Sequence, residues 1–230
     1  MNIFFWDIDG TLIRTAKAGL YAFEQAMQEL WGGSIDWSQI TTAGMTDYYI
    51  AARAIEVLTG RLASEAEAVA LSTRYEELLL THLSMREGKT MPSVREILEY
   101  LAQRNDCRSL LLTGNSRTGS EIKLKQYDLA QFFDYDNSAF CERSYHRDDI
   151  AGCARGVAQR FAGDKPPKVF VIGDTPNDVR CGQAIGAYTV AVATGAYSLE
   201  ELSDCRPWWA VQALPDSGAF WQKIQEAENL

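Results

Sequence analysis

Apolar runs that end in a polar tip, separated by stretches with helical spacing, set the strongest limit on how this chain folds. Residues 2–7 (Asn-Ile-Phe-Phe-Trp-Asp) are aromatic and β-branched without alternation, the pattern of a strand buried on both faces. The run ends in Asp7-Ile8-Asp9-Gly10-Thr11, where polar residues and a glycine force a turn. Leu110–Leu112 into Thr113-Gly114-Asn115, Val169–Ile172 into Gly173-Asp174, and Thr189–Val192 look alike, and 135–140 is a weaker candidate for a fifth strand. Between them Val94, Ile97, Leu98 and Leu101 recur at i, i+3, i+4, i+7, with Pro92 placed to start that helix. Further helical patterns cover 122–129, 150–161 and 179–185. Strands alternating with helices make βαβ units, so the expected class is α/β, a parallel sheet with helices on both faces.

One stretch breaks the alternation. From about Ala16 to Arg86 only helical patterns occur: Leu20, Phe23, Met27 and Leu30 on one face, a second helix over 49–58, and Leu71, Tyr75, Leu78 and Leu79 on a third. A crossover between parallel strands needs only about a dozen residues, so this stretch reads as an inserted helical domain. The expected division is an α/β core of residues 1–15 and 88–230 and a smaller helical cap of 16–87, with hinges at 13–17 and 86–92.

In parallel α/β sheets ligands bind beyond the carboxyl ends of the strands, which would gather the polar tips into one crevice. Asp7 and Asp9, one residue apart at a strand end, can both face a metal, one by side chain and the other by its backbone carbonyl. Gly10 lets the chain turn away without a Cβ clash. Thr113, Gly114 and Asn115 present a hydroxyl and backbone N–H groups at a helix start, a phosphate cradle. Asp174 can ligate a hard cation, and Asp178 can hold a metal-bound water. Oxygen donors of this number suit Mg²⁺. Taken singly, each piece has a plainer reading: a solvated turn at 7–11, a common Thr-Gly strand end, and helix capping by Asp174 or Asn177 with Pro176 in the first turn.

Together, in this order and each at a strand end, D-I-D-G-T at 7–11 and G-D-T-P-N-D at 173–178 make the chain resemble the haloacid dehalogenase-like superfamily over roughly 1–14 and 90–215. The resemblance implies a Rossmann-like, doubly wound parallel sheet and an Mg²⁺-dependent phosphatase acting on a small phosphate monoester. It implies Asp7 as the nucleophile that forms an aspartyl-phosphate and Asp9 as general acid/base. Thr113, with Gly114 and Asn115, would bind the phosphoryl oxygens. Asp7, Asp9 and Asp174 would hold the metal, with Asp178 behind them. The family also places a cation, Lys or Arg, at a helix start before the fourth strand. Arg147, in Ser144-Tyr145-His146-Arg147-Asp148-Asp149, fills that place or is a solvated surface charge; Lys165 and Lys168 sit too close to the next strand. The superfamily's carbon–halogen hydrolases typically lack the second acid, so Asp9 favours phosphoryl transfer. The insertion resembles the helical caps of phosphoglycolate phosphatase-like and β-phosphoglucomutase-like members. Its loop Ala43-Gly44-Met45-Thr46-Asp47 either reaches the leaving group through Gly44, Thr46 and Asp47 or is ordinary helix capping.

The net charge of −9 and pI near 4.8, with no Lys/Arg cluster, argue against a nucleic-acid partner. No apolar run reaches the roughly 18 residues of a membrane span, and the start turns acidic too soon for a signal peptide; a cytoplasmic location is the expectation. Cys107, Cys141, Cys153, Cys181 and Cys205 include no C-x-x-C pair, which argues against a zinc site or a disulfide framework and for buried small hydrophobes. His82 reads as a surface residue of the cap, and Trp208-Trp209 as core or a late strand. Two other functions occur on the same scaffold. A phosphosugar mutase uses the same aspartyl-phosphate but excludes water; the mark of a non-catalytic binding protein would be loss of Asp7, Asp9 or Asp174, and all three are intact.

Overall fold

The computed structural model describes residues 1–144, 146–162 and 165–227. Tyr145 of the segment before Arg147, and the last three residues of the expected 88–230 core, lie outside them. Along the chain run β1 (Asn2–Trp6), β2 (Ile13–Arg14), α1 (Ala18–Trp31), α2 (Asp47–Thr59), α3 (Glu65–Ser84) and β3 (Lys89–Thr90). There follow α4 (Val94–Ala102), β4 (Cys107–Leu111), α5 (Arg117–Gln126), α6 (Arg147–Arg160) and β5 (Lys168–Gly173). The chain closes with α7 (Pro176–Ala184), β6 (Tyr188–Val192), α8 (Leu199–Asp204), β7 (Trp209–Val211) and α9 (Ser217–Glu226).

Five of these strands form one sheet in the order β4-β1-β5-β6-β7, and every pairing in it is parallel. β1 is buried on both faces, as its unbroken apolar run requires. Phe4 and Trp6 enter the cluster that includes Val94, Ile97, Leu98, Phe170 and Phe220, while Ile3 and Phe5 enter the opposite one, with Ile150, Ala154 and Cys181. Phe4 stacks on Phe170 of the neighbouring strand with ring centroids 5.0 Å apart, adding to the area both rings bury. The fold is α/β, a parallel sheet covered by helices on both faces.

The 135–140 candidate is corrected. Asp134 accepts from the N–H groups of Asp136 and Asn137 and winds Tyr135–Asn137 into a 3₁₀ turn, leaving one bridge between Ala139 and Leu112. The late strand is instead β7, which Trp209 opens while Trp208 packs its ring edge-on against Phe170 and Tyr188. Cys107, Cys141 and Cys181 are buried, whereas Cys153 is exposed and Cys205 half-buried.

Helices α1 to α3 carry a core of their own, in which Phe23, Met27, Ile55, Leu71 and Leu79 pack together and Phe23 stacks on Tyr75. β2 and β3 pair antiparallel, Ile13 with Thr90 and Arg14 with Lys89, so the two strands of chain that enter and leave the helical insertion are hydrogen-bonded to each other. Just beyond β2, Ala16 and Lys17 hold φ of 49° and 64°, a left-handed conformation that non-glycine residues adopt at a cost. His82 is not on the surface: α3 buries it, with Gln25 Oε1 2.8 Å from Nε2 and Arg86 Nη1 2.9 Å from Nδ1.

Candidate active site

The strand order changes direction beside β1, where ligand crevices form in open parallel sheets. Asp7 follows β1 directly, and its N–H donates to Ile172 O of β5 at 2.9 Å, so it sits beside Asp174 at the end of that strand. On the other side Thr113 follows β4, whose Leu111 is in register with Trp6. Three strand ends thus deliver three polar tips to one place.

Gly10 makes the turn after Asp9 at φ 90°, and a Cβ there would overlap the Asp174 carboxylate. The Thr11 hydroxyl donates to Asp174 Oδ1 at 2.9 Å. At the start of α7, Thr175 and Asp178 form a capping box: Thr175 N–H and hydroxyl donate to Asp178 Oδ2 at 3.0 and 2.6 Å, and Pro176 takes the first helical position. The capping reading of this motif and its placement of a carboxylate are therefore the same geometry. Thr175, not Asp174 or Asn177, is the N-cap.

Arg147 is no surface charge. It is 3% exposed, donates from Nη1 to Asp7 Oδ1 at 3.3 Å, and pairs through Nη2 with Asp178. Its Nε is buried with no partner among the described residues. Burial works against the guanidinium charge, but Asp178 and Asp7 outweigh it and raise its pKa. The carboxyl of Asp7 is pushed up to about 7, chiefly by burial and then by Asp178, against the pull of Arg147 and a hydrogen bond from Thr113. Burial, Asp7 and Asp178 likewise raise Asp174 well above the ordinary carboxylate range.

That crowding is the test of a metal. Asp7, Asp174 and Asp178 each present a carboxylate oxygen, all three within 4.8 Å of one another and all buried. Like charges so close and dry are unfavourable unless cations join them, and Arg147 pairs with Asp7 and Asp178 but not with Asp174. An all-oxygen donor set is that of a hard divalent ion, so the residues fit Mg²⁺. The expected set had Asp9 through its backbone carbonyl and Asp178 in support; the three carboxylates that converge are those of Asp7, Asp174 and Asp178.

Asn115 does more than line a cradle. Its Nδ2 donates to Asp9 Oδ2 at 3.0 Å and to Thr113 Oγ1 at 2.9 Å. Its Oδ1 accepts from Lys123 at 2.5 Å, and the same ammonium reaches Asp9 Oδ2 at 2.6 Å. Lys123 is a residue that sequence reasoning missed. It has no motif, and the sole hint is a lysine on a helix otherwise starting at the Thr113 tip.

The Gly44–Asp47 loop lies against these strand tips. Gly44 O accepts from Asn177 Nδ2 at 2.8 Å. Thr46 caps α2, its hydroxyl accepting from Tyr49 N–H at 3.0 Å. Asp47 N–H donates to Gly114 O at 2.8 Å and its Oδ2 accepts from Ser116 N–H at 2.9 Å. Gly114 has to be a glycine here, because a Cβ would drive into Met45 O. Between insertion and strand ends lies a cavity of about 720 Å³. The core lines it with Asp7, Asp9, Asp174, Arg147, Gly114 and Asn115, and the insertion with Phe23, Trp37, Ile50, Tyr75, Gly44 and Asp47, among others. Thr46, Thr113 and Asp178 stand behind these walls.

A buried carboxylate cluster at the switch point of a parallel sheet, beneath a helical insertion, is a candidate metal site. The family model for haloacid dehalogenase-like hydrolases matches residues 4–183. The chain belongs to that family. Solved structures share the fold at low identity. A hydrolase from Pseudomonas syringae matches with TM-score 0.69 at 20% identity over 98% of this chain and 99% of its own. An HAD hydrolase, family IA, variant 3, from Entamoeba histolytica matches with TM-score 0.71 at 17% identity over 93% of each chain. A predicted phosphoglycolate phosphatase from Haemophilus somnus matches with TM-score 0.68 at 16% identity over 97% of each chain. None of the curated proteins matches.

Proposed function

We propose that this chain is a Mg²⁺-dependent phosphatase that hydrolyses a small phosphate monoester through an aspartyl-phosphate on Asp7. The observation that carries the reading is that Asp7, Asp9, Asp174 and Arg147 line a single cavity. Mg²⁺, held by the Asp7 and Asp174 carboxylates and the Asp9 carbonyl with Asp178 in support, would neutralise charge on the phosphoryl oxygens and on Asp7.

The chain's own residues do the rest. An Asp7 carboxylate oxygen attacks phosphorus as the ester P–O bond breaks, and Asp9 gives its proton to the leaving oxygen. Asp9, now a carboxylate, takes a proton from water as that oxygen attacks phosphorus. The bond to Asp7 breaks, orthophosphate leaves, and both acids return to their starting states. Arg147 orients Asp7 and offers a positive charge to the phosphoryl group, with Gly114 and Asn115 beside it and Thr113 behind them, bonded to Asp7 and Asn115. Residues 16–87 act as a cap on the 13–17 and 86–92 hinges. Seated over the strand ends, the cap lines the part of the cavity that would take the leaving group, and its closure would exclude bulk water.

Orthophosphate release from p-nitrophenyl phosphate and a panel of phosphate esters, with Mg²⁺ and with EDTA, tests this. Release that survives EDTA unchanged would sink the metal's role. An isomerised sugar phosphate without orthophosphate would identify a mutase, and silence across the panel a binding protein.

A further inference from the structure

Lys123 projects from α5 into the seam between insertion and strand ends. It is 4% exposed, and its Nζ bonds Asp9 Oδ2 and Asn115 Oδ1. The Tyr75 hydroxyl of α3 lies against the same ammonium. Lys123 lines the cavity, but its ammonium there is engaged by Asp9, Asn115 and Tyr75. Asp9, in contrast, is loosely held: its side chain is 42% exposed. Its Oδ2 takes two hydrogen bonds, from Lys123 and Asn115, and its Oδ1 takes none among the described residues.

We propose that Lys123 is the positioning residue for Asp9, anchoring Oδ2 so that Oδ1 faces the oxygen that exchanges a proton with it. An unanchored carboxylate at a half-exposed turn rotates into water, where it is hydrated and out of line. A buried ammonium without a partner is itself costly, so each group holds the other. Asn115 completes the clamp by bonding both. The proposal rests on the phosphatase reading above.

Asp9 takes a proton from water in the dephosphorylation of every substrate. It is needed in the first step only where the leaving oxygen is basic; p-nitrophenolate departs without a proton, and Asp9 then gives its proton to solvent before it serves as the base. The Lys123→Met variant should therefore show a kcat on p-nitrophenyl phosphate lower by about 10²-fold, with kcat/KM nearly unchanged. An initial burst of about one p-nitrophenolate per enzyme should precede that slow turnover. On an alkyl phosphate kcat/KM should fall as well, and Lys123→Arg should restore part of each loss. Equal loss of kcat and kcat/KM on both esters, without a burst, would mean a merely structural lysine and overturn the proposal. A crystal structure of Lys123→Met gives a readout that needs no turnover. The Asp9 carboxylate should leave its position beside Asn115, and finding it unmoved would overturn the proposal equally. If the wild-type chain hydrolyses no ester, the phosphatase reading fails while the crystal structure still decides the anchor.

Discussion

Asp7 and Asp47 are both buried carboxylates, and burial raises both, yet the two are set to different tasks. Asp7 faces the cavity beside Arg147, where a nucleophile would stand. Asp7→Asn keeps the volume and removes the attacking charge, so turnover should fall by about 10⁴-fold or more while the far-ultraviolet circular dichroism is unchanged. Near-normal turnover would end the covalent mechanism. Asp47 is pushed up to about 6, mainly by burial, against the pull of the Lys123 ammonium and the Ser116 N–H. A folded value above the unfolded 3.8 means that this carboxyl favours the fold at low pH, and that the contribution is lost as pH rises through about 6. Asp47→Asn keeps an oxygen for Ser116 N–H and cannot ionise. Its stability relative to wild type should therefore improve between pH 4 and 7, by up to about 3 kcal/mol. Urea unfolding at four pH values in that window checks this, and a flat difference would refute it.

At the scale of elements, α2 is seated on the α/β core by backbone rather than by long side chains. Asp47 N–H and Gly114 O make one bond, Ser116 N–H and Asp47 Oδ2 another, and the Met45 carbonyl fills the space a side chain at 114 would need. Gly114→Ala therefore overpacks this junction, at about 1–3 kcal/mol. The displaced part should be the 42–50 segment, so hydrogen exchange there should quicken while α9 keeps its protection. An unchanged exchange map would show that the junction yields at no cost. The β2–β3 ribbon ties the two crossings together, and the left-handed Ala16 and Lys17 beside it mark where a hinge would store strain.

The whole molecule is acidic, and three of its few buried carboxylates meet at the switch point of the sheet. Asp7, Asp174 and Asp178 repel one another in a dry setting, so a cation bound to the native state should stabilise the entire fold. At 100 times its Kd, Mg²⁺ should add about 2.7 kcal/mol, a rise in Tm of roughly 5–10 °C for a chain of this size. Asp174→Asn should abolish that rise, as read by thermal unfolding with Mg²⁺ and with EDTA. A rise of equal size in the variant would place the ion elsewhere. Among the described residues no helix is long and apolar enough to cross a membrane.

The class of fold and the acidic end of the site were legible in the chain itself, because both depend on local pattern. β1 must be buried on both faces, since Asn2–Trp6 has no polar side to expose. Asp7, Thr113 and Asp174 each directly follow an apolar run, so parallel pairing alone brings them to one edge of the sheet. What local pattern could not carry was any feature whose partner is distant in sequence. Residues 135–140, a weaker strand candidate bounded by Tyr135 and Phe140, begin instead with a 3₁₀ turn over Tyr135–Asn137 wound by the Asp134 side chain. β7, with three half-buried residues, is a strand only because β6 lies beside it. His82 is buried because Gln25, 57 residues away, offers it an acceptor. Lys123 looks like one more lysine on the solvent face of a helix until the fold sets Asp9 against it, 114 residues away. Periodicity and strand-end chemistry thus determined the sheet and the carboxylates at its edge. Only the tertiary structure decided which cations answer them, because a buried charge is settled by the partner that packing brings to it.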